Sequence, residues 1–159
     1  MGAPPPQSPA GAALTELILL VFRLNGRLLE AAERMAAAGG LTAARWQVLG
    51  AVLRGPLTVS GIARAMGMTR QGVQRIADLV VEQGLAEYVD NPAHRRSKLV
   101  RVTDEGVAAI RRIDPGHAAM AERLRKEMGR QRLEQALDAL HDLSAAFDRL
   151  EAQDAAASG

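Results

Sequence analysis

The sequence predicts a mainly α-helical protein with one small β-hairpin. Apolar residues recur at alternating spacings of three and four near both ends of the chain, as on one face of an amphipathic helix. Two short segments rich in β-branched residues flank a basic, turn-prone stretch, which is typical of a hairpin. The chain has 159 residues, of which 48% are hydrophobic. This length and this content are sufficient for one hydrophobic core, or for one core per subunit of a dimer.

Two long apolar stripes mark the ends of the predicted fold. The first predicts one long helix that stops at Gly39 and Gly40, and it comprises Leu14, Leu17, Val21, Leu24, Leu28, Ala31 and Met35. The second comprises Leu133, Leu137, Leu140, Leu143, Phe147 and Leu150. Since these stripes exceed what a small domain can cover, we predict a dimer interface built from the chain ends. The alternative is that they pack against each other within a monomer.

A local pattern recurs at four positions and predicts four helix starts. In each pair an apolar residue precedes a threonine: Leu41-Thr42, Leu57-Thr58, Met68-Thr69 and Val102-Thr103. The threonine hydroxyl can accept a hydrogen bond from an unpaired amide of the first turn, while the residue before it packs on an apolar side chain five positions later. The two shortest helices, Thr58–Met66 and Thr69–Gln83, are joined through Gly67, which predicts a helix-turn-helix.

The second of these short helices has one apolar and one polar face. Val73, Ile76, Leu79 and Val80 make its predicted inward face, whereas Arg70, Gln71, Gln74 and Arg75 begin its outward face. Arginine and glutamine can make the bidentate contacts that distinguish guanine and adenine in a major groove. Taken alone, the same face is better explained as a solvated helix surface.

A predicted hairpin, or wing, follows this helix. Its strands are Leu85–Val89 and Leu99–Val102, and the insertion between them, Asp90–Lys98, carries His94, Arg95, Arg96 and Lys98. Residues 54–101 hold eight basic and four acidic residues, so that the positive excess of the chain lies there. DNA would provide an anionic partner for these positive charges, through phosphate contacts or through an arginine in the minor groove. A solvated basic loop is the alternative.

Several classes of protein are disfavoured by the composition. The absence of cysteine excludes disulfides, thiolate metal sites and thiol redox switches, and it fits a cytoplasmic protein. The apolar run Leu17–Phe22 is too short to span a membrane, so no membrane partner is expected. His94, His117 and His141 stand apart, without metal-ligand spacing or a nucleophile and base. We therefore expect no enzyme and no cofactor.

The chain from about Leu14 to Leu150 resembles the multiple-antibiotic-resistance regulators, the MarR family. Its most specific part is NPAHRRSKLVRVTDEG at residues 91–106, which is similar to the family's wing and the start of the next helix. The resemblance implies that Arg96 enters the minor groove. His94 stands where the family commonly has the aspartate that orients this arginine, and Asp90 is considered as its substitute.

The resemblance also implies a function and its partners. We expect a homodimer on a pseudo-palindromic operator in double-stranded DNA, acting as a repressor that a small, often aromatic effector releases. A winged-helix module that binds another protein is the alternative. No effector-binding residues are assigned, because Trp46 is interpreted as core. The predicted DNA-contacting residues are Thr58, Ser60, Thr69, Arg70, Gln71, Gln74, Arg75, His94, Arg95, Arg96 and Lys98.

The predicted organisation is one domain, residues 13–151, between a flexible leader at 1–12 and a flexible tail at 152–159. Within the domain, residues 13–38 and 115–151 are the dimerisation helices. Residues 42–113 are the winged-helix part with a connecting helix. Asp114-Pro115 is either a kink or the start of a fresh helix.

Overall fold

The computed structural model describes residues 8–158 and confirms the mainly helical class. The elements in chain order are α1 (Pro9–Ala36), a 3-10 turn (Ala37–Gly39), α2 (Ala43–Ala51), β1 (Leu57–Thr58), α3 (Val59–Met66), α4 (Arg70–Glu82), β2 (Ala86–Val89), β3 (Leu99–Val102), α5 (Asp104–Arg111), α6 (Asp114–Met128) and α7 (Arg130–Ala157). They form two compact units, one ending at Asp114 and the other beginning at Pro115. None of the described helices is long and apolar enough to cross a membrane.

All four predicted threonine caps are confirmed. Each hydroxyl accepts from the backbone N–H three residues later, with N···O distances of 3.3 Å at Thr42, 3.0 Å at Thr58, 3.0 Å at Thr69 and 3.2 Å at Thr103. Such a bond satisfies an amide that has no partner within the helix. The helix starts are therefore fixed by contacts within four residues of sequence.

The predicted helix-turn-helix is formed by α3 and α4. Gly67 ends α3 with φ +61°, in the left-handed region that favours glycine, and the Met68 N–H then donates to the Ala63 carbonyl at 2.9 Å. Val73, Ala77 and Val80 are buried on the inner face of α4. The outer face of α4 is consequently directed to solvent.

The β-sheet has three strands, one more than the predicted hairpin. Its order is β1-β3-β2, with both pairs antiparallel, and Leu57 lies opposite Val100 while Tyr88 lies opposite the same residue on the other side. The pair Leu57-Thr58 thus serves both as a strand and as the start of α3. The sequence pattern showed only the helix start, because the strand depends on a partner far along the chain.

The connecting helix α5 packs closely on the beginning of the wing. Thr103 donates its hydroxyl to the Gly84 carbonyl at 2.6 Å, and its N–H to the Leu85 carbonyl at 3.1 Å. A Cβ at Gly106 would overlap the Leu85 carbonyl oxygen, so only glycine permits this approach. Around this junction the core of the first unit is built from small and β-branched residues of α2 to α5, including Val48, Ile62, Val100 and Ala109.

The terminal helices are longer than the sequence pattern indicated. α1 begins at Pro9, inside the predicted leader, because the Ser8 hydroxyl accepts from the Gly11 N–H at 3.1 Å and proline suits a first turn. Residues 1–7 of that leader lie outside the described residues. α7 continues to Ala157, inside the predicted tail. Of the two alternatives at Asp114-Pro115, the structure has the fresh helix start.

Candidate nucleic-acid interface

An open groove brings the start of α3, the outer face of α4 and the wing together on one surface. Its volume is about 310 Å³. Six of the predicted DNA-contacting residues line it: Thr58, Ser60, Arg70, Gln74, Arg96 and Lys98. Val59, Tyr88 and Ser97 complete the lining. Residues separated along the chain by up to forty positions thus share one face, which we call the helix–wing groove.

Five predicted contact residues lie outside the helix–wing groove. Thr69 is exposed, but its hydroxyl caps α4, and Gln71 is exposed in the first turn of that helix. Arg75 lines a separate depression with Arg45, Asp78 and Glu82. Arg95 lines another beside Asp90 and Asn91, and His94 is exposed at the wing tip. The structure therefore divides the predicted set into a groove-lining group and an outlying group.

The conformation of the wing is held by Asn91. Its Oδ1 accepts from the Ala93 N–H at 3.0 Å, and its Nδ2 donates to the Ser97 hydroxyl at 3.3 Å. Two backbone bonds reinforce the turn, from His94 N–H to the Asn91 carbonyl and from Ser97 N–H to the His94 carbonyl, both at 3.1 Å. This side-chain turn needs no carboxylate. Asn91 therefore holds the backbone turn of the wing, whereas the Asp90 carboxylate makes no ion pair with Arg96.

The cations of the wing tip have no acidic partner. Across residues 8–158, no carboxylate lies within 4.0 Å of the charged groups of Arg95, Arg96 or Lys98. By contrast, Arg101 on β3 pairs with Glu87 on β2 at 2.8 Å, and both side chains are about half exposed. Such an exposed pair contributes little stability. The tip therefore presents three positive charges to solvent.

A hydrogen-bonded triad links α4 to the wing. The Tyr88 hydroxyl donates to Asp78 Oδ1 at 2.6 Å, and Gln74 Nε2 lies 2.9 Å from both oxygens. Burial, then the hydrogen bond to Asp78, then the charge of Asp78 raise the pKa of Tyr88 to about 12, although the bond from Gln74 opposes this shift. Tyr88 therefore stays protonated at neutral pH and remains a donor to Asp78.

Sequence reasoning missed Tyr88 and Ser97 as parts of the helix–wing groove. Tyr88 is the single tyrosine of the chain, and it follows buried Ala86 by two positions on the same face of β2. That alternation places it against the core side, where a phenol needs a polar partner. Only the packing of β2 beside α4 reveals that this partner is Asp78.

The described residues contain no group of three His, Cys, Asp or Glu side chains that could hold a metal ion. The surface is instead built from amides, hydroxyls and unpaired cations. Together with the three-stranded sheet and the α3–α4 pair, it defines a winged helix-turn-helix protein.

Comparisons with known proteins agree with this class. Residues 39–97 match the MarR family model. An uncharacterized protein of Mycobacterium tuberculosis H37Rv, Rv2011c, is 45% identical over 100 residues, which cover 63% of this chain and 70% of the relative. The crystal structure of the MarR family transcription regulator SP03579 is similar with a TM-score of 0.67 and 26% identity, over 91% of this chain and 93% of the other.

A third similar protein has been solved with two different partners. The transcriptional repressor CouR bound to a 23-mer DNA duplex has a TM-score of 0.71 and 25% identity, over 87% of this chain and 99% of the other. CouR from Rhodococcus jostii RHA1 bound to p-coumaroyl-CoA has a TM-score of 0.66 and 25% identity, over 80% and 90%. The chain belongs to the MarR family. It is a transcription regulator and not an enzyme.

Proposed function

We propose that this regulator binds double-stranded DNA as a homodimer, with α4 in the major groove and the wing in the adjacent minor groove. The observation that carries the proposal is the helix–wing groove, where the outer face of α4 and the basic wing lie on one side of the first unit. Exposed arginine and glutamine side chains on α4 suit base edges, and the cations of the tip suit phosphates.

The wing supplies the electrostatic part of this mechanism. Arg96 and Lys98 line the groove while Arg95 lies beside it, and none of them is neutralised by a carboxylate. Bringing these charges to the DNA backbone releases condensed counterions, with a salt exponent of about 0.9 per phosphate neutralised. We infer that Arg96 enters the minor groove, where a narrow A·T-rich segment concentrates negative potential.

Dimerisation is supported by the apolar surface of α1. Leu19 and Phe22 are 64% and 69% exposed, and a further seven large apolar residues of this helix are also exposed in the single chain. An apolar patch of this kind is unusual on a monomer. We infer that a second copy of the chain covers it. A two-fold dimer would place two α4 helices about 34 Å apart, on half-sites of a pseudo-palindrome.

Repression and release by a ligand complete the proposal. CouR is a repressor that has been solved both with DNA and with an aromatic acyl-coenzyme A. We infer the same mode here, with a small aromatic effector lowering the affinity for DNA and with the protein acting in the cytoplasm. The effector is sought among hydroxylated aromatic acids and their coenzyme A thioesters, by release of labelled operator.

The decisive experiment is selection of genomic fragments by the purified protein, followed by affinity measurements at several salt concentrations. We expect enrichment of pseudo-palindromic sites and an affinity that falls steeply as salt is added. Light scattering should give twice the 16.9 kDa mass of one chain. Failure to enrich any sequence, with no salt-dependent binding, would favour a protein-binding winged helix and overturn the proposal.

A further inference from the structure

The acidic residue Asp78 lies on the exposed side of α4, one turn after the groove-lining Gln74 and outside the lining of the helix–wing groove itself. It is exposed, yet its Oδ1 accepts two hydrogen bonds, from the Tyr88 hydroxyl and from Gln74 Nε2. A carboxylate at such a position repels phosphates and would be unfavourable unless it served another purpose. The two donors indicate that purpose, because one of them belongs to Gln74, a groove-lining residue.

The donors and acceptors around Gln74 determine the orientation of its carboxamide. The ionised Asp78 carboxylate can only accept, so the Gln74 group that faces it must be the amino group. Tyr88 has a single hydroxyl proton, which it donates to Asp78, so its oxygen accepts from Gln74. Reversing the amide would place its oxygen against the carboxylate oxygen, and two acceptors form no hydrogen bond. Among the described residues, none donates to Gln74 Oε1.

We propose that Asp78 and Tyr88 are positioning residues that set base specificity by engaging the Gln74 amino group, which leaves Oε1 as the amide atom available to a base. A glutamine free to rotate can contact adenine through both its amide atoms, whereas the held glutamine offers mainly an acceptor. The operator should therefore carry a hydrogen-bond donor at the base facing Gln74. This donor is the amino group of adenine or of cytosine, so cytosine should be accepted as well as adenine. This inference rests on the proposed DNA binding.

The test compares base preference in wild type, Tyr88→Phe and Asp78→Ala. Every base pair of one selected half-site is varied, and the relative affinities are measured in competition. The wild type should prefer cytosine or adenine over guanine or thymine at one base pair on the strand facing α4. Tyr88→Phe keeps the ring and removes the hydroxyl, so it should lower discrimination at that pair roughly 3- to 10-fold and leave the other pairs unchanged.

Asp78→Ala gives an independent readout that a merely structural role would not produce. It frees the carboxamide and also removes a negative charge, so the affinity for all sequences should rise a few-fold while discrimination at the same base pair falls. Glu87→Gln is the matched control, since it removes a neighbouring charge on β2 outside the triad. It should leave discrimination at that base pair intact.

The outcomes separate this inference from the proposed function. Sequence-specific binding by the wild type with unchanged base preference in both variants would overturn the positioning role and leave the regulator intact. A wild-type requirement for guanine or thymine at the Gln74 position would overturn it as well. No DNA binding by the wild type would refute the proposed function itself. Should Tyr88→Phe fail to fold, Asp78→Ala decides alone.

Discussion

The Glu33 carboxylate of α1 accepts a 2.7 Å hydrogen bond from the backbone N–H of Ala43, the first residue of α2. Thr42 caps the same helix through the Arg45 N–H, so two amides of one first turn are satisfied from two directions. The bond from Glu33 is a tertiary contact that ties the long N-terminal helix to the winged-helix core. It also places a negative charge at a helix N-terminus, where the helix dipole favours it.

Removal of this contact should destabilise the fold. We expect Glu33→Ala to lower the free energy of unfolding by about 1 kcal/mol, the typical cost of a lost N-terminal cap. Urea unfolding at fixed protein concentration measures it. Glu30→Ala is the matched control, because Glu30 is exposed on the same helix and its side chain forms no hydrogen bond with the described residues. Equal losses in the two variants would show that the contact to Ala43 contributes nothing.

Truncation of the wing arginine should weaken DNA binding in general. Arg96→Ala removes a groove-lining cation that has no acidic partner, so we expect affinity for most sequences to fall roughly tenfold and the salt exponent to decrease by about 1. Fluorescence anisotropy at several salt concentrations gives both quantities. Arg111→Ala, an exposed position of α5 outside the groove, serves as the control. Unchanged affinity in Arg96→Ala would remove the wing from the mechanism.

The wing brace can be tested by exchanging two neighbouring residues. Asn91→Ala loses the bonds to Ala93 and Ser97, and we expect DNA affinity to fall about threefold to tenfold because the tip must be ordered on binding. Asp90→Asn removes the adjacent charge and should strengthen binding slightly. The opposite pattern, weaker binding in Asp90→Asn alone, would restore Asp90 as the brace.

A charge in the apolar face of α1 should break the proposed dimer. Phe22→Glu replaces a side chain that is 69% exposed in the single chain, so the folding of the monomer should be little affected. Burial of a carboxylate against a second copy would be costly, and we expect light scattering to show the mass of one chain. Arg27→Glu puts the same group at an already charged position of α1. A dimer that survives Phe22→Glu would move the interface elsewhere.

The single tyrosine offers a direct measure of the triad. Absorbance at high pH should give a Tyr88 pKa near 12 instead of 10.0. Because the folded state binds this proton more tightly, the stabilisation is complete below pH 10 and is lost as the pH rises towards 12. Asp78→Ala should lower the midpoint only partly, since burial is the largest cause of the shift. A wild-type midpoint near 10 would contradict the triad.

The sequence by itself determined the helix starts, the helix-turn-helix and the basic wing. These features depend on contacts between residues a few positions apart, such as Thr58 with the Gly61 N–H and Thr69 with the Gly72 N–H. A short stretch of sequence is therefore sufficient to predict them. The distribution of charge also needed no coordinates, because the net positive charge lies in one continuous stretch, residues 54–101.

Only the tertiary structure decided how those parts meet. Strand β1 forms because Leu57 pairs with Val100 of β3. The N-terminus of α2 is fixed by the hydrogen bond from the Ala43 N–H to Glu33. The Gln74 carboxamide is oriented because Asp78 lies beside Tyr88. Each of these relationships joins distant segments through a geometry that no local pattern records. The physical reason is that packing of the core selects which polar groups become neighbours and can therefore form hydrogen bonds.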